Sequence, residues 1–239
     1  MKRTLIFFIF FILPFYVFAS CKDIEKKYLF GDYEGLLKKS FRCKEEDKVL
    51  YFSGLSYLKL AKYRQARSCF RKLISYYPHS KLIEEGWLRL ADSYFLEGNL
   101  SRAKVIYKKL ERNTSFNFLP TVYLRLAQVC AKEGKWQDKR RYLKKIKERF
   151  PLCVETKYVS VLENYGDYFT IQVGAFNKKK NALSLKKELS KRYPVYIIEE
   201  ETLEYILYKV RVGKFKGRNK TKRVYRKLIK EGYSARIYP

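Results

Sequence analysis

Polar and cationic side chains alternate with aliphatic ones along four short segments in the last third of the chain. The residues at the outward positions of these segments are Tyr168, Thr170, Gln172, Tyr196, Lys209, Arg211, Arg236 and Tyr238. Amide and hydroxyl groups exchange hydrogen bonds, guanidinium and ammonium groups bind anions, and tyrosine rings stack on flat apolar surfaces. These residue types predict a surface that binds a polar ligand.

The sequence lacks the residue patterns of an enzyme. Its single histidine, His79, follows Pro78 in a turn and is expected to be solvated. One histidine supports neither a His-based metal cluster nor a Ser-His triad, and no two carboxylates stand at a spacing suited to acid–base catalysis. We therefore expect no catalytic residues, no metal and no cofactor.

The composition favours an anionic ligand. Lysine and arginine number 53 against 24 acidic residues, which gives a formal charge of +29 over 239 residues. Such an excess attracts nucleic acid, an acidic membrane surface or an acidic polymer, and does not choose among them.

The four segments are expected to be strands of one sheet. The expected strands are residues 168–173, 194–198, 205–212 and 234–238. Helical patterns follow the first and third strands, so the order is βαββαβ. The two halves repeat, since the IQVGAF that starts at Ile171 returns as VRVGKF about 39 residues later. The natural packing is a four-stranded antiparallel sheet with both helices on one face and the other face open.

Two glycines and two phenylalanines recur in these halves. Gly174 and Gly213 are expected to form tight turns after their strands, while Phe176 and Phe215 are expected in the core. Strand alternation places four aliphatic side chains against the helices. They are Ile171, Val173, Val210 and Val212.

The segments YFTIQVGAF, YKVRVGKF and EGYSARIY, with the two helices between them, resemble a SPOR domain over residues 165–239. The resemblance implies a module that binds peptidoglycan, preferentially glycan strands stripped of stem peptides, as found at division septa. It also implies that Gln172 contacts the glycan. Ala175 stands where such domains commonly carry a small polar residue, so one hydrogen bond is expected to be missing or supplied elsewhere.

The outward residue types suit a stripped glycan strand. Gln172 can bind a hydroxyl or an N-acetyl amide, Arg211 can bind a lactyl carboxylate with both guanidinium nitrogens, and Lys209 adds a point charge. A tyrosine can stack on a sugar face. The residues expected to bind glycan are Tyr168, Thr170, Gln172, Ala175, Lys209, Arg211, Arg236 and Tyr238. The alternative is that Gln172 and Arg211 are merely solvated residues of the sheet.

The middle of the chain repeats with a period of about 36 residues, seen in the small residues Gly54, Ala91 and Ala127. Each repeat predicts two helices joined by a short turn. The pattern resembles the tetratricopeptide repeat over about residues 24–155, which implies a protein partner that the sequence does not name. Lys139 and Cys130 depart from the pattern and suggest a capping-like third unit.

The runs of basic residues in these repeats allow two interpretations. They are Lys108-Lys109, Arg140-Arg141 and Lys144-Lys145. They are expected to be solvated helix faces, and the alternative is a basic groove for an acidic peptide tail.

The chain begins with the pattern of a secretory signal peptide. Lys2 and Arg3 precede about fifteen apolar residues, and the small residues Ala19 and Ser20 follow. Cys21 then resembles the lipidated cysteine of a bacterial lipobox, with simple cleavage near Ala19 as the alternative. Export leaves two states open for the remaining cysteines, paired or free. These are Cys43, Cys69, Cys130 and Cys153.

The predicted organisation is a signal peptide at 1–20, a helical repeat domain at 22–156, a linker at 157–164 and the sheet domain at 165–239. This is an α solenoid followed by an α+β domain. We expect an exported protein of the periplasm or cell envelope, anchored to a membrane if Cys21 is lipidated. It is expected to bind septal or remodelled peptidoglycan and to hold a protein partner in cell division or wall remodelling. The alternatives are a repeat scaffold lipoprotein for envelope or outer-membrane assembly, and a nucleic-acid-binding sheet, against which the export signal argues.

Overall fold

The computed structural model describes residues 21–38, 45–164 and 166–239. The predicted signal peptide and Cys43 lie outside these residues, and so does the side chain of Cys21, the first residue of the first helix. None of the helices in the described ranges has both the length and the apolar character needed to span a bilayer. The chain divides into two compact units between Ser93 and Tyr94.

Helices make up most of the described chain before residue 165. Their bounds are α1 (Cys21–Leu29), α2 (Tyr33–Lys38), α3 (Glu46–Lys59), α4 (Tyr63–Tyr76), α5 (Ile83–Glu97), α6 (Leu100–Asn113), α7 (Leu119–Glu133), α8 (Trp136–Arg149) and α9 (Thr156–Asn164). A 3₁₀ turn at Phe116–Phe118 precedes α7. The helix pairs α3–α4, α5–α6 and α7–α8 follow the predicted period and confirm the helical repeat.

The paired helices are joined by the same backbone turn. After α3, the amide of Lys62 donates to the carbonyl of Tyr57 at 2.8 Å, and the amides of Asn99 and Lys135 make the corresponding bonds after α5 and α7. This hydrogen bond closes a Schellman motif, which requires a left-handed residue just after the helix. Gly98 and Gly134 supply it in the two later turns.

Ala61 takes the left-handed position in the turn between α3 and α4, with φ at 54°. In an L-residue this conformation brings the β-carbon close to the following carbonyl oxygen, whereas glycine avoids that contact. The turn between α3 and α4 therefore keeps the hydrogen bonds of the other two while holding a strained residue.

The small residues of the repeat allow close contact between paired helices. A β-carbon at Gly54 would lie 2.6 Å from the ring of Phe70 in α4, so only glycine fits there. Ala66 and Ala103 take the corresponding small-residue positions in α4 and α6 and are fully buried.

Lys139 replaces that alanine in α8, and its side chain is buried rather than solvated. Its ammonium donates to the carbonyls of Leu162 at 3.3 Å and Gly166 at 3.0 Å, and pairs with Asp167 at 2.8 Å. The carbonyl end of α9 favours a cation, which explains how a lysine is held at a position that elsewhere requires alanine.

The segment predicted as a linker, residues 157–164, is helical in α9. Only Val159 of this helix is buried. A helix of about two turns with one buried side chain shows no amphipathic period in the sequence, which is why it was not predicted. The contacts of Lys139 with Leu162 and Gly166 stabilise its carboxyl end. The predicted domain limits themselves stay a prediction.

The C-terminal residues form the predicted βαββαβ fold. Its elements are β1 (Phe169–Phe176), α10 (Lys179–Ser190), β2 (Val195–Glu201), β3 (Ile206–Phe215), α11 (Arg218–Lys230) and β4 (Arg236–Tyr238). The strands lie in the order β2-β3-β1-β4, and all pairs are antiparallel. The core between sheet and helices consists of Ile171, Val173, Ala182, Leu189, Val210, Val212 and Leu228.

Gly174 and Gly213 do not form the predicted tight turns, because β1 and β3 continue through them to Phe176 and Phe215. A β-carbon at either glycine would collide with the phenylalanine ring two residues later. Each glycine thus makes room for a ring that packs on the core. Around Gly174 the pairing of β1 with β3 shifts by one residue, a β-bulge that the alternation pattern did not reveal.

The last helical hairpin packs against the beginning of the sheet. Phe169 is 2% exposed, and its ring lies 5.1 Å from that of Trp136, the first residue of α8. The indole nitrogen of Trp136 donates to the carbonyl of Lys216 at 3.4 Å. These contacts lie within the second compact unit, to which α7, α8 and the sheet all belong.

Candidate functional site

Four predicted outward residues form one row across the open face of the sheet. Arg211 in β3 lies directly opposite Tyr196 in β2 and Gln172 in β1, and Gln172 lies opposite Arg236 in β4. Directly opposed residues of antiparallel strands project to the same side. The row Tyr196–Arg211–Gln172–Arg236, here called the central row, therefore places hydrogen-bonding and cationic side chains on the face away from the helices.

Arg211 is covered, contrary to the exposed position that we predicted. It is 2% exposed, and its guanidinium carbon lies 4.6 Å from the centre of the Tyr238 ring. Arg236 lies against the same ring at 5.4 Å and is exposed. The alternation pattern gives the face of a strand residue but not the aromatic residue that packs over it. The guanidinium open to a ligand is that of Arg236.

Gln172 is half-buried in the middle of the row. Its Oε1 atom is buried and accepts no hydrogen bond from any residue that the structure describes. A buried acceptor without a donor costs free energy, so this atom favours a ligand hydroxyl or N–H group.

Thr170 is also covered, and its hydroxyl is used within the protein. Its Oγ1 donates to the carbonyl of Val212 at 3.3 Å and accepts from the hydroxyl of Tyr196 at 2.9 Å. Burial raises the pKa of Tyr196 above its ordinary value, which keeps this hydroxyl a donor. Thr170 therefore positions Tyr196, and the prediction that it faces a ligand directly does not agree with its 2% exposure.

Lys214 joins this face, although the sequence analysis did not select it. Its ammonium lies 5.2 Å from the ring centres of both Tyr168 and Tyr196. The signal was available in the repeat: Lys214 follows Gly213 as Ala175 follows Gly174. Lys214 thus adds an exposed cation and gives Tyr168 a defined neighbour.

Lys209 contributes less charge than predicted. It lies opposite Ala175, which the β-bulge turns to this face, and forms an ion pair with Glu200. Its side chain is 16% exposed. Since Glu200 neutralises it, the point charge that we expected from Lys209 is not open to a ligand. The side chain of Ala175 offers no hydrogen bond, in keeping with the expectation from its type.

A second polar surface lies on α6 and the turn after α7. It is a groove of about 610 Å³, here called the α6 groove. Its lining residues are Ser101, Lys104, Val105, Lys108, Lys109, Arg112, Asn113, Glu133 and Lys135. Five of these side chains are cationic and one is a carboxylate, so the groove has a positive charge.

Part of that charge is held in ion pairs. Lys104 and Lys135 both pair with Glu133, at 2.8 and 2.9 Å. Lys108 pairs with Glu111 at 2.8 Å, and Lys145 of α8 reaches the same carboxylate at 3.1 Å. Burial alone would raise the pKa of Glu111, but the hydrogen bonds from the two lysines outweigh it and lower the pKa below its ordinary value.

Three cysteines of the described residues are free thiols. They are Cys69 in α4, Cys130 in α7 and Cys153 before α9. Burial raises the pKa of Cys69 and of Cys130, which keeps both in the unreactive thiol form. The sequence left open whether these cysteines are paired or free, and the structure shows Cys69, Cys130 and Cys153 as free thiols.

Comparison with protein families agrees with both halves of the structure. The family model described as SPOR domain matches residues 165–238, and the model described as Tetratricopeptide repeat matches residues 49–80 and 85–113. No curated protein matches the chain. The hairpin α7–α8 lies outside the matched repeats and extends them by one unit. SPOR domains bind peptidoglycan, tetratricopeptide repeats bind proteins, and neither family is catalytic. The chain is thus a tetratricopeptide-repeat protein with a carboxy-terminal SPOR domain.

Proposed function

We propose that this protein is exported to the cell envelope, where its SPOR domain binds peptidoglycan strands that lack stem peptides and its repeats hold a protein partner. The process it serves is cell division or wall remodelling. The observation that supports the proposal is the central row, which brings Gln172 and Arg236 together on the open face of the sheet.

The chemistry of a stripped glycan strand suits this face. The unpartnered oxygen of Gln172 accepts a hydrogen bond from a sugar hydroxyl or an acetamido N–H. Arg236 and Lys214 bind the free lactyl carboxylates. Arg211 and Thr170 hold Tyr238 and Tyr196 in position.

The preference for stripped strands follows from the same contacts. A stem peptide converts the lactyl carboxylate to an amide, which removes the anion that Arg236 and Lys214 bind. It also adds bulk above a shallow sheet. Both effects reduce binding to the intact polymer.

Co-sedimentation of the full chain with sacculi tests this proposal. Wild-type protein is expected to bind amidase-treated sacculi better than intact sacculi, and Gln172→Ala with Arg236→Ala is expected to weaken binding about tenfold or more. Arg226→Ala is the matched control, because Arg226 is exposed on α11, which covers the other face of the sheet. Equal binding to both kinds of sacculi would contradict the preference.

We also propose that the α6 groove holds an acidic segment of the protein partner. Cations outnumber carboxylates in its lining, and Val105, at 70% exposure, offers an apolar contact in its middle. An adjoining apolar groove of about 310 Å³ shares Ser101 and Val105. An acidic peptide with an apolar side chain fits both grooves.

A labelled peptide of alternating glutamate and leucine tests the α6 groove by fluorescence anisotropy. We expect it to bind, and we expect Lys109→Glu with Arg112→Glu to abolish binding, while the charge-matched pair Lys186→Glu with Lys187→Glu on α10 leaves it unchanged. Tighter binding of a lysine–leucine peptide would overturn this proposal.

Export and anchoring are tested at the amino terminus. We expect the mature protein to lack residues 1–20 and Cys21→Ser to release it from the membrane fraction. Cleavage near Ala19 with unchanged fractionation of Cys21→Ser would remove the lipid tether from the proposal and leave export in place.

A further inference from the structure

Cationic side chains of two elements meet where α7 ends beside the sheet. Arg218, the first residue of α11, donates from Nη1 to the carbonyl of Lys132 at 2.8 Å. The ammonium of Lys132 lies over the ring of Phe95 at 5.4 Å. Arg236 of β4 is near enough for its charge to act on the ammonium of Lys132. Across the described ranges, none of these three side chains forms an ion pair with a carboxylate.

The charges of Arg218 and Arg236 both oppose the charge of Lys132. Burial lowers the pKa of Lys132 below its ordinary value, and the charges of Arg236 and Arg218 lower it further. Like charges gathered without a counterion are costly, and a bound anion would remove that cost. The hydrogen bond from Arg218 to Lys132 and the packing of Trp136, just after α7, on Phe169 hold these cations near one another.

This cluster is continuous with the central row. Arg236 lies opposite Gln172 on the open face, and β4 is an edge strand of three residues. Arg236 thus belongs to the central row and also acts on Lys132, so an anionic polymer that crosses the sheet from Gln172 to Arg236 approaches the positive charge of Lys132 and Arg218.

We propose that Lys132 and Arg218, together with Arg236, form a second anion subsite that extends the glycan-binding face from the SPOR domain onto the last repeat hairpin. Its ligand is a further carboxylate of the same stripped glycan strand, so this inference rests on the proposed function. Lys132 is then a glycan-binding residue outside the SPOR domain, and the footprint covers more sugars than the sheet alone accommodates.

The test uses the full chain and stripped glycan oligosaccharides of two lengths, four and eight sugars. Wild-type protein is expected to bind the longer oligosaccharide more tightly. Lys132→Gln is expected to weaken binding of the longer one about fivefold to tenfold, to leave the shorter one nearly unchanged and to flatten the dependence on salt. Lys132→Arg should restore the affinity, which a merely structural role would not predict.

Lys187→Gln is the matched control, because Lys187 is exposed on α10, on the other side of the sheet. If wild-type protein binds both oligosaccharides and Lys132→Gln behaves like this control, the second subsite is overturned and the proposed function stands. If wild-type protein binds neither, both the proposed function and this inference are wrong.

Discussion

Two arginines that contact one tyrosine ring should respond in opposite ways to the same substitution. The side chain of Arg211 is buried against the ring of Tyr238. The side chain of Arg236 contacts the same ring but is exposed to solvent. We expect Arg211→Ala to destabilise the sheet domain, and Arg236→Ala to weaken glycan binding while leaving the stability of the domain nearly unchanged.

The magnitude follows from what each side chain loses. A desolvated cation–π contact contributes about 2 kcal/mol, and two buried methylenes contribute roughly 1.6 kcal/mol. Removing a buried charge returns part of this free energy, on the order of 1–2 kcal/mol. The net cost of Arg211→Ala is therefore about 2 kcal/mol. An exposed substitution such as Arg236→Ala changes stability by less than about 0.5 kcal/mol.

Amide hydrogen exchange of β3 measures this difference locally. A cost of 2 kcal/mol raises the equilibrium constant for opening by roughly 30-fold, so the amides of Ile206–Phe215 should exchange about 30 times faster in Arg211→Ala. In Arg236→Ala they should exchange within about twofold of the wild-type rate.

One pair of results would refute the reasoning. If Arg211→Ala exchanges at the wild-type rate and weakens glycan binding as strongly as Arg236→Ala, then Arg211 is an accessible ligand contact and its burial under Tyr238 does not describe the protein in solution.

Three further substitutions test the helical repeats. Ala61→Gly should raise the free energy of unfolding by about 0.5–1 kcal/mol, because it removes a left-handed alanine, and Ala66→Gly in the packed helix should lower it; urea unfolding measures both. An Ala61→Gly midpoint at or below that of wild type would contradict the left-handed turn. Glu111→Gln should cost about 1 kcal/mol at pH 7, since its two lysine partners are over a third exposed. The folded-state pKa of Glu111 lies below its unfolded value of 4.5, so this cost is present above about pH 4.5 and should vanish as the pH falls through the lowered pKa; a cost that persists at pH 2 would contradict it.

Much of the fold could be predicted because its signals are local and periodic. Small residues about 36 positions apart predict helix pairs, and the return of Val-Gly-x-Phe predicts two matching strand–helix halves. The faces of β1 and β3 followed from alternation, which is why Gln172 and Arg211 share a side. In α9, one buried side chain in about two helical turns gives no hydrophobic periodicity, so this helix could not be predicted from the sequence.

The site was predictable in outline and not in detail. Alternation places Arg211 on the open face, but the ring of Tyr238 comes from a strand that follows about 25 residues later, and only tertiary contact shows that it covers Arg211. The ion pair of Lys209 with Glu200 and the convergence of Lys132 with Arg218 are likewise contacts between separate elements. Long-range pairs of this kind leave no local pattern in a single sequence.

The burial of Phe169 has a consequence for how this protein can be divided or recombined. A fragment that begins at the family boundary near residue 165 would present that ring to water, because Trp136 and the glycine turn before it provide its cover. The smallest autonomous piece should therefore start at the beginning of α7. Transplanting the carboxy-terminal module into another host would demand that this hairpin travel with it.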